Sequence, residues 1–365
     1  MPTQPKALHK QSGVALIVVL MLVALVVIIT ADMASRLQLQ VTRASNIKDN
    51  NQAYWYAMGA EQFAQKSILA LLQKNENVIS LEGDWSQEFT FPLEGGGIQA
   101  QLLDMQTCFN LNAVNAVNSS EDSDSSPNTG TPTSPTDANG QQNQNKPQPV
   151  TRTQPELGAA PEEAIAFARL LQNAVPELDN YSVEVVRDSL IDWLDSDDNL
   201  SQSGAEDADY AALVNPYLAA NANMVSKSEF RLVNGVQAQW VNQLLPQICV
   251  IPKLNELKIN VNTVVEEQAP VLAALTGASV AEIQTLISNR RPSGYENIQD
   301  FLSETLFSNY PLNAVQQSWF DVKTEYFLLH TKTRYNNASF AMSSLFKVQD
   351  KQKVTVIRRE FGGKL

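Results

Sequence analysis

Two histidines and two cysteines supply all the imidazole and thiol chemistry of this 365-residue chain. His9 stands in the first ten residues, so a histidine-rich metal site is excluded and a Ser-His-Asp triad has only His330 to rest on. Cys108 and Cys249 stand 141 residues apart, and no C-x-x-C occurs. Proline is missing from Pro5 to Pro92, so nothing in that stretch forces a helix to stop. Positive charge is scarce: 26 Lys and Arg against 39 Asp and Glu give a net charge of −13. Such a chain repels nucleic acid and anionic lipid and attracts cations.

What is present begins with Val14–Ala31, an 18-residue uncharged run in which Thr30 is the one polar side chain. It has the length of a membrane-spanning helix. Lys6, His9 and Lys10 precede it, which assigns residues 1–13 to the cytoplasmic side. A general secretory signal has a shorter apolar core followed by a small-residue cleavage site. Here Asp32-Met33-Ala34-Ser35 follows the run, and the small residue, Gly13, lies before it. Cleavage between Gly13 and Val14 leaves the apolar stretch as the mature N-terminus and, by removing Lys6 and Lys10, takes the net charge to about −15. A plain single-pass anchor is the other reading of this leader.

The helix begun at Val14 is expected to continue through Leu72, roughly 90 Å at ~1.5 Å per residue. In its second half Tyr56, Ala60, Phe63, Ala64, Ile68, Leu71 and Leu72 recur at helical spacing and mark a face for packing, with Gln40, Arg43, Lys48 and Asp49 on the other faces. Tyr54-Trp55-Tyr56 is too far past Ala31 for an interfacial belt and is assigned to packing. Glu88–Phe91 and Ile98–Leu103 alternate around Gly95-Gly96-Gly97, the pattern of a hairpin. Asn118–Pro155 is low-complexity, poor in apolar residues, and reads as a disordered tether. Helical patterns follow at Pro161–Leu171 and Val183–Leu194, and strand alternation returns around Phe327, Ser339–Met342 and Val354–Ile357.

The leader resembles the prepilin signal of type IV pilins and type II secretion pseudopilins. Members of those families mostly begin with Phe and carry Glu at the fifth mature position, where it is thought to pair with a neighbour's terminal amine. Here those positions are Val14 and Val18. A buried amine without its carboxylate is costly, so a subunit lacking the Glu fits the filament tip. Further blocks occur in order: Phe109-Asn110-Leu111-Asn112, Asp192-Trp193-Leu194-Asp195, Gly204-Ala205-Glu206-Asp207, Pro216-Tyr217, Ser228–Gly235 and Ile259-Asn260-Val261-Asn262-Thr263. Together they resemble the K-type minor pseudopilin of type II secretion over nearly the whole chain.

The resemblance implies an α+β fold, with a long N-terminal transmembrane helix and a pilin-like antiparallel sheet. A large α-helical domain, SAM- or helix-hairpin-helix-like, is inserted into the sheet. The expected division is a leader at 1–13, the N-terminal helix at 14–75 (transmembrane 14–31), and the first part of the sheet at 76–115. A linker at 116–156, the inserted helical domain at 157–315 and closing strands at 316–365 complete it.

Two constellations carry chemistry. Seven carboxylates and no Lys or Arg lie between Asp192 and Asp209. With Asp195 as position one, Asp197 is third, Asn199 fifth and Glu206 twelfth, the oxygen spacing of a Ca²⁺ loop. Asp207 is a candidate to complete the shell; Leu200 stands where an EF-hand has Gly. Ile259–Leu302 resembles a helix-hairpin-helix unit with a Ser279/Glu282 capping box, but it has one hairpin glycine and an acidic balance, so it is assigned to packing rather than DNA. In an oxidising periplasm Cys108 and Cys249 are expected to form a disulfide, with two separate buried thiols as the alternative.

The reading that follows is a non-enzymatic assembly protein of the inner membrane, single-pass, with its C-terminal domain in the periplasm. It would be cleaved and methylated at Val14 by the prepilin peptidase and would join I- and J-type minor pseudopilins in a ternary tip complex. That complex would start the major pseudopilin filament and touch secretin or secreted substrates. The rivals are a minor pilin or DNA-uptake component of a type IV pilus, disfavoured by charge, and a membrane-anchored periplasmic enzyme, for which no nucleophile–base pair is in view.

Overall fold

The computed structural model describes residues 14–74, 78–114, 160–349 and 353–362. The leader with Gly13 and the low-complexity linker lie outside these residues. Helix α1 runs Val14–Lys74, 61 residues. Its apolar first part is long and apolar enough to cross a membrane, and none of that window is buried against the protein. Burial starts only at Asp49 and follows the stripe Ala53, Ala57, Ala60, Glu61, Ala64, Ile68 and Leu72. Four alanines in that stripe bring the helix close to the sheet beneath it.

The stripe differs from the expected face in three places. Phe63 is 61% exposed and meets Phe89 edge-on, ring centroids 6.1 Å apart. It lies about 100° around the helix from Ala64, off the alanine contact line. Asp49, expected outward, is buried and accepts a hydrogen bond from Asn336 Nδ2 at 3.2 Å. In the aromatic cluster only the tyrosines pack: Tyr54 lies edge-on to Phe340 and Tyr56 to Tyr335, while Trp55 points outward.

After α1 come the hairpin strands β1 (Phe89–Leu93) and β2 (Gly96–Asp104) and the short β3 (Phe109–Asn110). Gly96 is demanded by this turn, since a Cβ there would fall 1.9 Å from the Arg334 carbonyl oxygen. A mostly helical block follows: α2 (Glu162–Ala174), α3 (Asn180–Leu194), α4 (Asp207–Ala211), α5 (Val241–Leu244), β4 (Ile248–Cys249), β5 (Ile259–Asn260), α6 (Ala269–Thr276), α7 (Val280–Asn289), α8 (Ile298–Leu302), α9 (Leu306–Asn309) and α10 (Ala314–Ser318). The chain returns through β6 (Phe320–Asp321) to β7 (Tyr326–Tyr335), β8 (Ala338–Gln349) and β9 (Lys353–Phe361). The main sheet is antiparallel, in the order β1-β2-β7-β8-β9. β6 is not part of it and instead pairs in parallel with β5.

The sheet turns Ala100, Leu102, Phe327, Leu329, Phe346 and Val348 onto α1's Ala64, Ile68 and Leu72, making one core. The helical block has its own larger core, which includes Phe109, Phe167, Trp193, Tyr210, Phe230 and Phe301. Phe109 and Leu111 thus leave the sheet region and enter the second core. Between the two cores asparagines tie the chain crossings together. Asn112 Nδ2 donates to the carbonyls of Met224 (3.0 Å) and Ile251 (3.2 Å), and its Oδ1 accepts from Met224 N at 2.8 Å. Asn262 donates to Tyr295 O at 2.9 Å and accepts from Tyr295 N at 2.7 Å. An asparagine amide pairs with a peptide group in both directions, so it satisfies buried backbone where no ladder runs. Disulfide Cys108–Cys249 is present, Cα–Cα 5.7 Å, beside the β3–β4 pairing.

Candidate functional site

The acidic loop follows α3 and leads into α4. Three of its carboxylates are withdrawn from solvent: Asp192 is 0% exposed, Asp195 7% and Glu206 6%. Asp192 accepts from Ser201 N at 3.1 Å, and the neighbouring Asp188 accepts from Ser203 N at 3.1 Å, so the loop backbone is strung along α3. Gly204 passes so close that a Cβ would lie 1.8 Å from Asp192 Oδ2. The glycine this loop requires therefore stands next to Ala205-Glu206-Asp207. At the sixth position Leu200 simply turns outward.

Asp195 Oδ1 and both carboxylate oxygens of Glu206 are buried with no hydrogen-bond partner. Burial, then the charges of Asp197, Asp192 and Glu206, push the Asp195 carboxyl up to about 8. Burial, then Asp192 and Asp198, push Glu206 up to about 7. Buried oxygens without partners call for a proton or a cation. Of the remaining expected ligands, Asn199 is exposed and its backbone N–H donates to Asp197 Oδ1 at 2.9 Å, a local turn. Asp207 Oδ1 is taken by Ala219 N at 2.9 Å. Among the described residues no three His, Cys, Asp or Glu side chains are gathered as a ready ligand cage. The donor set, hard oxygens without nitrogen or sulfur, fits Ca²⁺. Asp192, the most buried carboxylate of the group, was not among the expected ligands. The clue was available, since it heads the same acidic run three residues before Asp195.

Around the loop the packing is aromatic. Trp193 of α3 lies edge-on to Tyr210 of α4 at 5.3 Å, and Tyr210 lies tilted against Tyr217 at 5.3 Å. The Tyr210 hydroxyl accepts from Asn234 N at 3.1 Å. The Asp192–Asp195 block, the Gly204–Asp207 block, Pro216-Tyr217 and Ser228–Gly235 thus converge on one structure around the loop.

The helix-hairpin-helix unit is α6, a turn at Gly277 and α7, with the Ser279/Glu282 capping box formed. Arg290, one of its two arginines, is turned inward and donates to the carbonyls of Val261 and Val264. That guanidinium serves the fold rather than an outside phosphate.

Comparison with known proteins agrees with this architecture. Two family models, both described as type II secretion system (T2SS), protein K, match residues 107–253 and 259–323. Type II secretion system protein K of Aeromonas hydrophila is 32% identical over 362 residues, covering 97% of this chain and 98% of that protein. The protein K of Dickeya chrysanthemi is 33% identical over 361 residues, covering 97% and 98%. Among solved structures, a chain of the GspK-GspI-GspJ complex from the enterotoxigenic Escherichia coli Type 2 Secretion System matches with TM-score 0.68 and 26% identity. That match covers 88% of this chain and 99% of the other. With two matched models and full-length kinship at this identity, the chain belongs to the type II secretion system protein K family, the K-type minor pseudopilins.

Proposed function

We propose that this chain caps the type II secretion pseudopilus and starts its assembly at the inner membrane. Its N-terminus would be freed by cleavage between Gly13 and Val14, and its globular part would lie in the periplasm. I- and J-type minor pseudopilins would be its direct partners, a reading supported by its match to a chain of the solved GspK-GspI-GspJ complex. The observation that carries the reading is the division of α1. Its first part is apolar and wholly exposed, available to lipid and to neighbouring helices, and its second part is locked to the sheet. Val18 offers no carboxylate to a neighbour's amine, which suits a subunit with nothing above it. Deleting the gene is expected to abolish filament formation, and a labelled copy is expected at one end. Label spread along overproduced filaments would contradict the tip position.

The same proposal assigns Ca²⁺ to the acidic loop, held by Asp195 and Glu206 with Asp192 close behind. Asp197 and Asp207 would swing in from their present hydrogen bonds and the Asn199 side chain from solvent. Bound there, the ion supplies positive charge to a cluster of like charges and fastens α3 to α4. Calorimetry with calcium and with chelator tests it. An unchanged melting temperature, together with undiminished binding in Asp195→Ala, would leave the loop a solvated acidic surface.

A further inference from the structure

The sheet face turned away from α1 is only partly covered by the helical block. Between the two lies an open cleft of about 610 Å³, the size of a small-ligand or short-peptide site. Sheet residues Gln101, His330 and Ser343 present polar groups into it, while Leu103, Leu328 and Trp85 supply apolar surface. The cleft also holds the charged groups Lys227, Arg358, Glu360 and Asp104.

Asp104 is met within the protein by Thr263, Thr324, Asn260 and the Gln106 amide. Arg358 Nε lies 3.1 Å from Glu360 Oε1, and its Nη1 donates to the carbonyls of Val225 and Val250, so this pair is internally satisfied. Lys227 has one hydrogen bond, Nζ to Leu245 O at 3.2 Å, and among the described residues no carboxylate lies within ion-pair distance of it. Its position is set by Glu229, whose carboxylate accepts from Val225 N (2.9 Å) and Ser226 N (2.7 Å) and fixes the backbone just before it. His330 is held by Ser343, Nδ1 to Oγ 2.9 Å. Burial and then Lys227, against the opposing pull of Glu360, push the His330 imidazole below its ordinary range. Lys227 is thus the one of the four with no side-chain partner in hydrogen-bond reach among the described residues, Glu360 acting on it only through space.

We propose that the cleft binds an extended peptide through its terminal carboxylate, with Lys227 holding the anion. Gln101, His330 and Ser343 would pair with the peptide backbone, and Leu103, Leu328 and Trp85 would receive its side chains. An acyl chain with the same carboxylate would offer nothing to the Gln101 side-chain oxygen or the second His330 nitrogen, the polar atoms left over from the Gln101–Ser86 and His330–Ser343 bonds. A peptide is therefore favoured over a fatty acid. The inference does not depend on the tip position or on calcium.

The test is calorimetry on the full chain in detergent micelles with an acetylated pentapeptide, AVSAL, as free acid and as C-terminal amide, and with decanoate. One charge-assisted contact predicts that the free acid binds at least about tenfold more tightly than the amide. Lys227→Gln should erase that difference with an unchanged melting curve, and Lys258→Gln, a lysine outside the cleft, should preserve it. Leu103→Trp, which fills the cleft, should abolish binding of both peptides. Equal binding of acid and amide, binding of neither at about 1 mM, discrimination surviving Lys227→Gln, binding surviving Leu103→Trp, or a preference for decanoate would each overturn the proposal.

Discussion

Glu61 of α1 and Arg359 of β9, 298 residues apart, meet in a two-point ion pair, with Nε–Oε2 2.7 Å and Nη2–Oε1 2.8 Å. Ser344 of β8 donates a third bond to Glu61 Oε2 at 2.7 Å. Glu61 is wholly buried, so its charge has no solvent to fall back on. The long helix is therefore latched to the last strand of the sheet by one carboxylate.

Removing the cation should hurt more than removing both partners. Arg359→Ala leaves Glu61 buried and unpaired, and chemical denaturation should show a loss of about 2–3 kcal/mol, the buried-pair figure reduced because Arg359 is partly exposed. The double variant with Glu61→Met should recover part of it. A loss below about 0.5 kcal/mol, the range of an ordinary surface substitution, would mean that the latch carries no weight.

Asp104 gives the chain a pH signature. It accepts from Thr263 Oγ1 (2.6 Å), Thr324 Oγ1, Asn260 Nδ2 (3.3 Å) and Gln106 N (2.7 Å) at the crossing between sheet and helical block. Burial outweighs these donors and raises its carboxyl to about 6. A folded pKa above the unfolded one means that the native state holds the proton longer. Asp104's contribution is then full below about pH 4 and is lost as pH rises through about 6, by up to about 3 kcal/mol. Asp104→Asn should flatten that part of the stability curve between pH 4 and 7. Wild-type and variant curves of the same slope would refute the assignment.

Gly204 is the test residue for the acidic loop. Gly204→Ala drives a methyl into Asp192, so it should lower the melting temperature and weaken calcium binding together. In the wild-type chain, calcium at about 100 times its Kd should add about 2.7 kcal/mol, several degrees in Tm. Equal melting of the glycine and alanine proteins, with and without calcium, would show that the loop is not built around that contact.

Much of this was legible in the sequence because its periods are long. The apolar run, the hairpin glycines and the three closing strands repeat often enough to be read one residue at a time. The buried stripe of α1 was harder: alanine is a weak hydrophobic signal, so Phe63 outweighed Ala53 and Ala57 although it faces outward. The asparagines of the Phe109–Asn112 and Ile259–Thr263 segments were visible only as a family likeness. Their work, pairing with backbone 112 or 139 residues away in the case of Asn112, depends on a tertiary crossing that no local pattern reports. The burial of Asp192 beside the loop was hidden for a similar reason. Twelve-residue loop counting starts at Asp195, whereas the fold folds the loop back over the preceding helical turn.

The most direct test of the account is native mass spectrometry of the mature chain coexpressed with the I- and J-type minor pseudopilins of the same organism. The account predicts a single complex containing one copy of each, lost when α1 is cut away before Asp49. A chain that stays alone, or that assembles into a polymer of itself, would contradict the placement of this protein at the tip.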